Sequence, residues 1–201
     1  KMKIPMLVST GMTTISEIAE VVELIKQYDC PFTLLHCVSS YPTLAKDANL
    51  STIQYLKNTF NVPVGFSDHT TGIEVSLAAV ALGASVIEKH FTLDKNMPGP
   101  DQKLSLNPSE FLQLSEKTRL IEKSLGTPRS NIIKSEIRFR ENMRKSLGIK
   151  SDLPAGTKLK HSMISLFRPG TGMPPNMINN IVGRTVKKPI KAGTLLSWDD
   201  F

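Results

Sequence analysis

The most constraining feature of this chain is an alternation. Short apolar runs and amphipathic runs follow one another about four times, and each apolar run ends in polar residues. Met6-Leu7-Val8 ends in Ser9-Thr10-Gly11. Phe32 to Cys37 ends in Ser39-Ser40-Tyr41-Pro42. Val62 to Phe66 runs into Ser67-Asp68-His69, within GFSDHT. Ser85 to Phe91 closes on His90-Phe91-Thr92. The amphipathic runs between them read as helices. Thr14 and Glu17 have capping-box spacing, ahead of an apolar face of Ile15, Ile18, Ala19, Val22 and Ile25. A second helix is predicted from roughly Ser51 to Thr59, and a third from Glu74 to Leu82, stopped by Gly83. Asn107 and Glu110 cap a long fourth helix, with Pro108 at its first position. Phe111, Leu114, Ile121 and Leu125 line it, and Gly126 ends it. Strands alternating with helices build a parallel α/β sheet. Such sheets take their ligands at the carboxyl ends of the strands. Three polar side chains in succession are costly to bury unless something binds them. GFSDHT is therefore expected on a functional rim.

From about Ser130 the texture changes to short strands and many turns. Leu153-Pro-Ala-Gly-Thr-Lys-Leu159 resembles Ile190-Lys-Ala-Gly-Thr-Leu-Leu196, each a turn followed by an apolar pair. Two copies suggest a small, mostly β module with approximate two-fold symmetry, not a solenoid. The expected organisation is an α/β part over residues 1–126, a partly helical linker over 127–143, and the β module over 144–201.

Composition narrows the function classes. Hydrophobic residues make up 40% of the 201 and charged residues 21%, a globular rather than a disordered balance. No apolar run approaches the ~20 residues of a membrane span. The basic start at Lys1 and Lys3 precedes too brief an apolar run for a signal peptide. Cys30 and Cys37 are too few for a disulfide framework and lack C-x-x-C spacing, which fits free thiols in a reducing cytoplasm. The net charge of +7 admits nucleic acid, acidic lipid or a small anionic substrate. The densest basic stretch, residues 132–150, also carries glutamates and no nucleic-acid motif, so a solvated face is expected there. Neither a nucleic-acid nor a membrane partner is expected.

Period-two alternation sorts the rim residues. Gly65, Ser67 and His69 share one face of their strand, and Phe66 and Asp68 the other. Glu88, His90 and Thr92 share a face, opposite Ile87, Lys89 and Phe91. If these strands are neighbours, His69 and His90 stand side by side. Two such imidazoles suit a divalent metal such as Mn²⁺, or each is a hydrogen-bonded structural residue. Ser67, Ser9 and Ser39 admit anion binding or local backbone bonding. Asp101, after Pro98-Gly99-Pro100, reads as a loop aspartate, or as a general base or sugar-hydroxyl acceptor. Arg168, in Phe-Arg-Pro-Gly, is a surface arginine by pattern alone.

In combination, GFSDHT, IEKHFTLDK, PGPD, RKSL and FRPGTG, in order and ahead of the repeat, resemble the sialic acid (N-acetylneuraminate) synthase family. The resemblance covers nearly the whole chain, and the SDHT and EKHF pair is its most specific part. It implies a TIM barrel joined to a small antifreeze-like (SAF) domain. It also implies condensation of phosphoenolpyruvate with an N-acetylated mannose-type aldehyde sugar, with release of phosphate. By the same resemblance His69 and His90 match metal ligands, with Mn²⁺ expected ahead of Mg²⁺. Ser9, Ser39 and Ser67 match phosphoenolpyruvate contacts. Tyr41, Glu88 and Asp101 match residues facing the sugar or a metal-bound water. Arg168 matches an arginine reaching the sugar from the neighbouring subunit of a domain-swapped homodimer. The family often has histidine where this chain has Gln102, which can hydrogen-bond a sugar but cannot switch charge.

A TIM barrel has eight strands. About four are legible here, and they correspond to the second half of the family's barrel. With two sheet edges unpaired, the chain is expected to be a fragment or one part of a longer polypeptide, inactive by itself. The closest alternative keeps the chemistry and changes the sugar: a legionaminic or pseudaminic acid synthase. An alternative of another class is a non-catalytic carbohydrate-binding or interaction protein. Metal-dependent aldolase chemistry is a more remote one.

Overall fold

The computed structural model describes residues 4–201; the basic start at Lys1 and Lys3 lies outside them. The chain divides into two compact units that meet between Thr127 and Pro128.

The first unit alternates as the sequence predicts: β1 (Met6–Ser9), α1 (Ile15–Gln27), β2 (Phe32–Cys37), α2 (Ser51–Phe60), β3 (Val64–Asp68), α3 (Glu74–Ala81), β4 (Ile87–Lys89) and α4 (Pro108–Leu125). All four strands are parallel and lie in sequence order, a half-barrel sheet. Both predicted capping boxes form, Thr14 with Glu17 and Asn107 with Glu110. Each satisfies two backbone N–H groups that the first helical turn leaves free.

Period two divides the sheet residues between its faces. Leu34, Val64 and Phe66 point to the helices, where they pack with Ile18 and Val22 of α1, Ile53 and Leu56 of α2, and Ala79 of α3. The opposite face carries Ser9, Leu35 and Gly65 in register, then Cys37, Ser67 and Glu88 one step further toward the carboxyl ends. Gly65 has no room for a side chain: a Cβ there would lie 2.6 Å from both Leu35 Cδ2 and the Val86 carbonyl. The glycine thus lets neighbouring strands approach directly below the rim.

Three local expectations shift. The fourth strand is shorter than Ser85 to Phe91, because Ser85 and Val86 bond to β3 only as an approach. Leu106 then takes over, donating to the His90 carbonyl and accepting from Thr92. Ile15 of α1 is exposed, whereas Ile18, Val22 and Ile25 are buried. In α4 only Leu114 is buried, against Ile73 and Leu106, while Phe111 and Leu125 are exposed. That helix packs on α3 and the edge strand β4, and its Phe111 ring meets that of Phe91 edge to face, centroids 5.8 Å apart.

The second unit opens with α5 (Lys134–Met143), followed by β5 (Ser146–Ile149) and β6 (Ile164–Phe167), an antiparallel pair. The repeat organises the rest. Leu153 and Ile190, the first residues of the two copies, exchange both backbone hydrogen bonds. Gly156 donates to Val186 O and Gly193 to Ile149 O, each at 2.7 Å. Thr157 O accepts from Val186 N, and Thr194 O from Ile149 N. These equivalent bonds describe a local two-fold axis. The core beneath is continuous and includes Leu147, Ile149, Leu159, Ile181, Val186 and Leu196.

Candidate active site

The rim of the first unit is built from the last residues of β2, β3 and β4 and the loops that follow. His69 is the first residue beyond β3. Its ring Nδ1 lies 2.9 Å from the Val38 carbonyl. A carbonyl only accepts, so Nδ1 carries the proton and Nε2 presents a lone pair. The backbone around it is fixed as well: Thr43 N–H donates to the His69 carbonyl at 3.0 Å. His90, the first residue beyond β4, brings its ring centroid to 5.2 Å from that of His69, edge to face. Its Nδ1 lies 3.8 Å from an Asp101 carboxylate oxygen.

Tyr41 completes an aromatic group of three. Its ring lies 4.2 Å from His69 and 5.8 Å from His90, and just over half of the residue's surface is exposed. Ser67 is buried and donates to Glu88 Oε1 at 2.7 Å. Glu88 itself is exposed. Ser39 is half-buried, with its hydroxyl 3.9 Å from Cys37 Sγ. A Cβ on Gly11 would lie 2.2 Å from that hydroxyl, so the loop after β1 is held against the loop after β2. Ser9 ends β1, exposed. Thr70 Oγ1 is buried without a hydrogen-bond partner, an uncommon state for an interior hydroxyl.

The sequence-predicted residues thus fall into four sets. His69, His90, Tyr41 and Asp101 gather, and Ser67 pairs with Glu88 across the β3–β4 ladder. Ser9 ends β1, and Ser39 lies in the loop two residues beyond β2. Arg168 belongs to the second unit, where its Nε donates to the Met143 carbonyl at 3.1 Å.

The donor set fits a divalent cation. His69 offers a free Nε2, its other ring nitrogen bonded to a carbonyl, as is usual for metal-ligating histidines. Among the described residues no three His, Cys, Asp or Glu side chains cluster as a ligand group. Two imidazoles fall short of the four ligands of a closed structural zinc site, and oxygen ligands in the remaining positions, which Mn²⁺ and Mg²⁺ favour, would have to complete a site for either ion.

A buried charge pair that sequence reasoning passed over backs the rim. Asp68 and Lys89 side chains are 0% and 1% exposed, with Nζ 2.9 Å from the carboxylate. Asp68 also accepts from Ser76 Oγ, and from Thr70 N–H at 2.8 Å. Lys89 donates to the Thr70 carbonyl. The signal was present, since alternation put both residues on the face opposite Ser67 and Glu88.

A parallel half-barrel with an imidazole pair and serine hydroxyls at its carboxyl rim, followed by a β module, defines the class as a barrel-type α/β protein with a small β domain after it. The first 130 residues match the NeuB family and residues 144–201 match the SAF domain. The chain belongs to the NeuB family, whose members include synthases of sialic, legionaminic and pseudaminic acids. It is 40% identical to the N,N'-diacetyllegionaminic acid synthase of Legionella pneumophila, over 98% of this chain and 57% of that protein. It is 39% identical to the N-acetylneuraminate-9-phosphate synthase of Mus musculus, over 90% of this chain and 51% of that one. Among solved structures, the N-acetylneuraminic acid synthetase of Leptospira borgpetersenii in complex with citrate is 44% identical, with a TM-score of 0.62 over 68% of this chain and 49% of that one. The chain spans just over half the length of the curated relatives it matches. No helix among the described residues is long and apolar enough to cross a membrane.

Proposed function

We propose that the protein to which this chain belongs is an N-acetylneuraminate synthase. It condenses phosphoenolpyruvate with N-acetylmannosamine or its 6-phosphate, and water, to give sialic acid, or its phosphate, and inorganic phosphate. The observation that carries this reading is the 5.2 Å approach of the His69 and His90 rings beside the Ser67–Glu88 pair, in a chain of the NeuB family.

The residues divide the work by chemistry. Ser9, Ser39 and Ser67 hydroxyls serve the carboxylate and phosphate of phosphoenolpyruvate, because hydroxyl and backbone donors suit anions. Ser67 must turn its proton from Glu88 toward that anion. Tyr41 packs against both imidazoles and offers the sugar an aromatic face and a hydroxyl. A divalent cation bound by His69 and His90, Mn²⁺ ahead of Mg²⁺, would polarise the aldehyde oxygen. Carbon 3 of phosphoenolpyruvate attacks the aldehyde carbon, forming the new C–C bond. Water then adds at carbon 2, and the C–O bond to phosphate breaks from the tetrahedral adduct. Glu88 and Asp101 are the carboxylates on hand to take the water proton and to protonate the new alkoxide. Arg168 would offer its guanidinium fork to the sugar of a neighbouring subunit's site in a domain-swapped homodimer.

The test is phosphate release by the full-length protein with phosphoenolpyruvate and Mn²⁺. N-acetylmannosamine, its 6-phosphate and a diacetamido trideoxy sugar are compared in parallel. Turnover with either mannosamine substrate is expected. Turnover with the diacetamido sugar alone would replace this reading by a legionaminic or pseudaminic acid synthase, the former favoured by the likeness to the Legionella protein. No phosphate release with any of the three would leave a carbohydrate-binding role as the better reading.

A further inference from the structure

The Asp68–Lys89 pair is an expensive feature with no place in the chemistry above. Taking two charges out of water carries a penalty that a pair offsets only with good geometry and further hydrogen bonds. Both conditions are met: the charges are 2.9 Å apart, and Ser76, Thr70 N–H and the Thr70 carbonyl satisfy remaining valences. An apolar pair of similar volume would fill the same space between β3, β4 and α3 without that penalty. What an apolar pair cannot do is hold a backbone. Asp68 takes the N–H of Thr70 and Lys89 takes its carbonyl, so both backbone polar groups of the residue after His69 are tied to side chains. Asp68 precedes His69 and Lys89 precedes His90, and the two are register partners across the ladder.

We propose that Asp68 and Lys89 are positioning residues. From the side of the sheet away from the substrate, they lock the ends of β3 and β4 so that the His69 and His90 imidazoles stand where both can reach one cation. This rests on the metal-dependent reading of the site. Two further ties work from the substrate side, where Val38 O holds the His69 ring and Thr43 N–H its carbonyl. Loss of the pair therefore loosens the rim without unfolding the sheet.

The test uses the full-length protein with Asp68→Val and Lys89→Met, singly and together, and His69→Ala as reference. Each single change leaves a buried charge unpartnered and is expected to lower the melting temperature; the double variant removes both charges and is expected to recover most of it. Two further readings decide the role. Free Mn²⁺ measured by electron paramagnetic resonance should show roughly ten- to hundred-fold weaker binding in the double variant, the usual loss when a ligand's supporting contacts go. Hydrogen exchange of the peptide covering residues 68–72 should be at least about ten-fold faster, with α2 unchanged. A purely structural pair predicts that binding and rim protection recover together with stability, and that outcome overturns the proposal. So does a loosened rim with wild-type Mn²⁺ affinity. If the unsubstituted protein binds no Mn²⁺, or His69→Ala leaves binding intact, the metal reading falls and the proposed role in cation binding with it. The exchange result still shows whether the pair anchors the rim.

Discussion

At the residue scale, the His69 ring shows how a side chain becomes a ligand candidate. An isolated imidazole has two interchangeable tautomers; the Val38 carbonyl removes that freedom and directs Nε2 outward. His69→Ala and His90→Ala in the full-length protein should each lower Mn²⁺ affinity sharply and abolish turnover. Unchanged metal dependence in either variant, measured by Mn²⁺ titration of phosphate release, would overturn the pairing. His36 shows the opposite use of the same side chain. It lies under the sheet, stacked on Phe66, with Nε2 donating to the Ala48 carbonyl at 2.7 Å. Burial holds its pKa below the ordinary 6.5, outweighing the hydrogen bond, which acts the other way. The unfolded chain binds that proton more readily. The stabilisation is therefore full above about 6.5 and is lost as pH falls from there through the folded-state value. Melting temperature against pH should therefore fall as pH drops below about 6.5. His36→Gln should flatten the fall, and an identical profile in the variant would refute the assignment.

At the element scale, the capping boxes and the two repeat turns were legible because their physics is local. A cap needs a hydroxyl or amide and a carboxylate three residues apart, and a left-handed turn residue favours glycine. Gly156 and Gly193 have φ of +82° and +81°, with nothing within 4 Å of where a Cβ would lie. The cost of alanine there is thus backbone conformation alone, about 1–2 kcal/mol. Gly156→Ala and Gly193→Ala should each destabilise the second unit by that order in urea denaturation. A neutral or stabilising result in either would show that the turn tolerates an ordinary residue. The extent of β4 and the exposed side of α4 were not legible in this way. Both depend on which neighbour the strand and helix meet, and periodicity carries no information about neighbours.

At the scale of the whole molecule, the proposed homodimer makes a prediction that neither unit makes alone. Arg168 stands in the second unit and the imidazole pair in the first. If Arg168 serves the partner's site, a mixed dimer of one Arg168→Ala subunit and one His69→Ala subunit carries both lesions in one site and leaves the other whole. Such dimers should regain roughly half of the wild-type turnover per dimer, because one site of two is intact. If it serves its own site, each site carries one lesion and the mixture stays nearly inactive. Phosphate release from dimers purified through two different affinity tags distinguishes the cases.

The sequence by itself determined the α/β class, the order of elements, the helix caps, the repeat, and the face on which each rim residue stands. All follow from periods of two and 3.6 and from contacts a few residues apart. Only the tertiary structure decided that Ser67 meets Glu88 and Asp68 meets Lys89. It likewise decided that Tyr41, from the loop after β2, lies against two histidines from the next two strands. Those partners are separated by one or two helices in the chain. Their register is fixed by the hydrogen-bond ladder and the packing beneath it, with glycine at position 65 because Leu35 and the Val86 carbonyl fill the space of a side chain. A one-residue slip would keep every local pattern and send each polar side chain to a different partner.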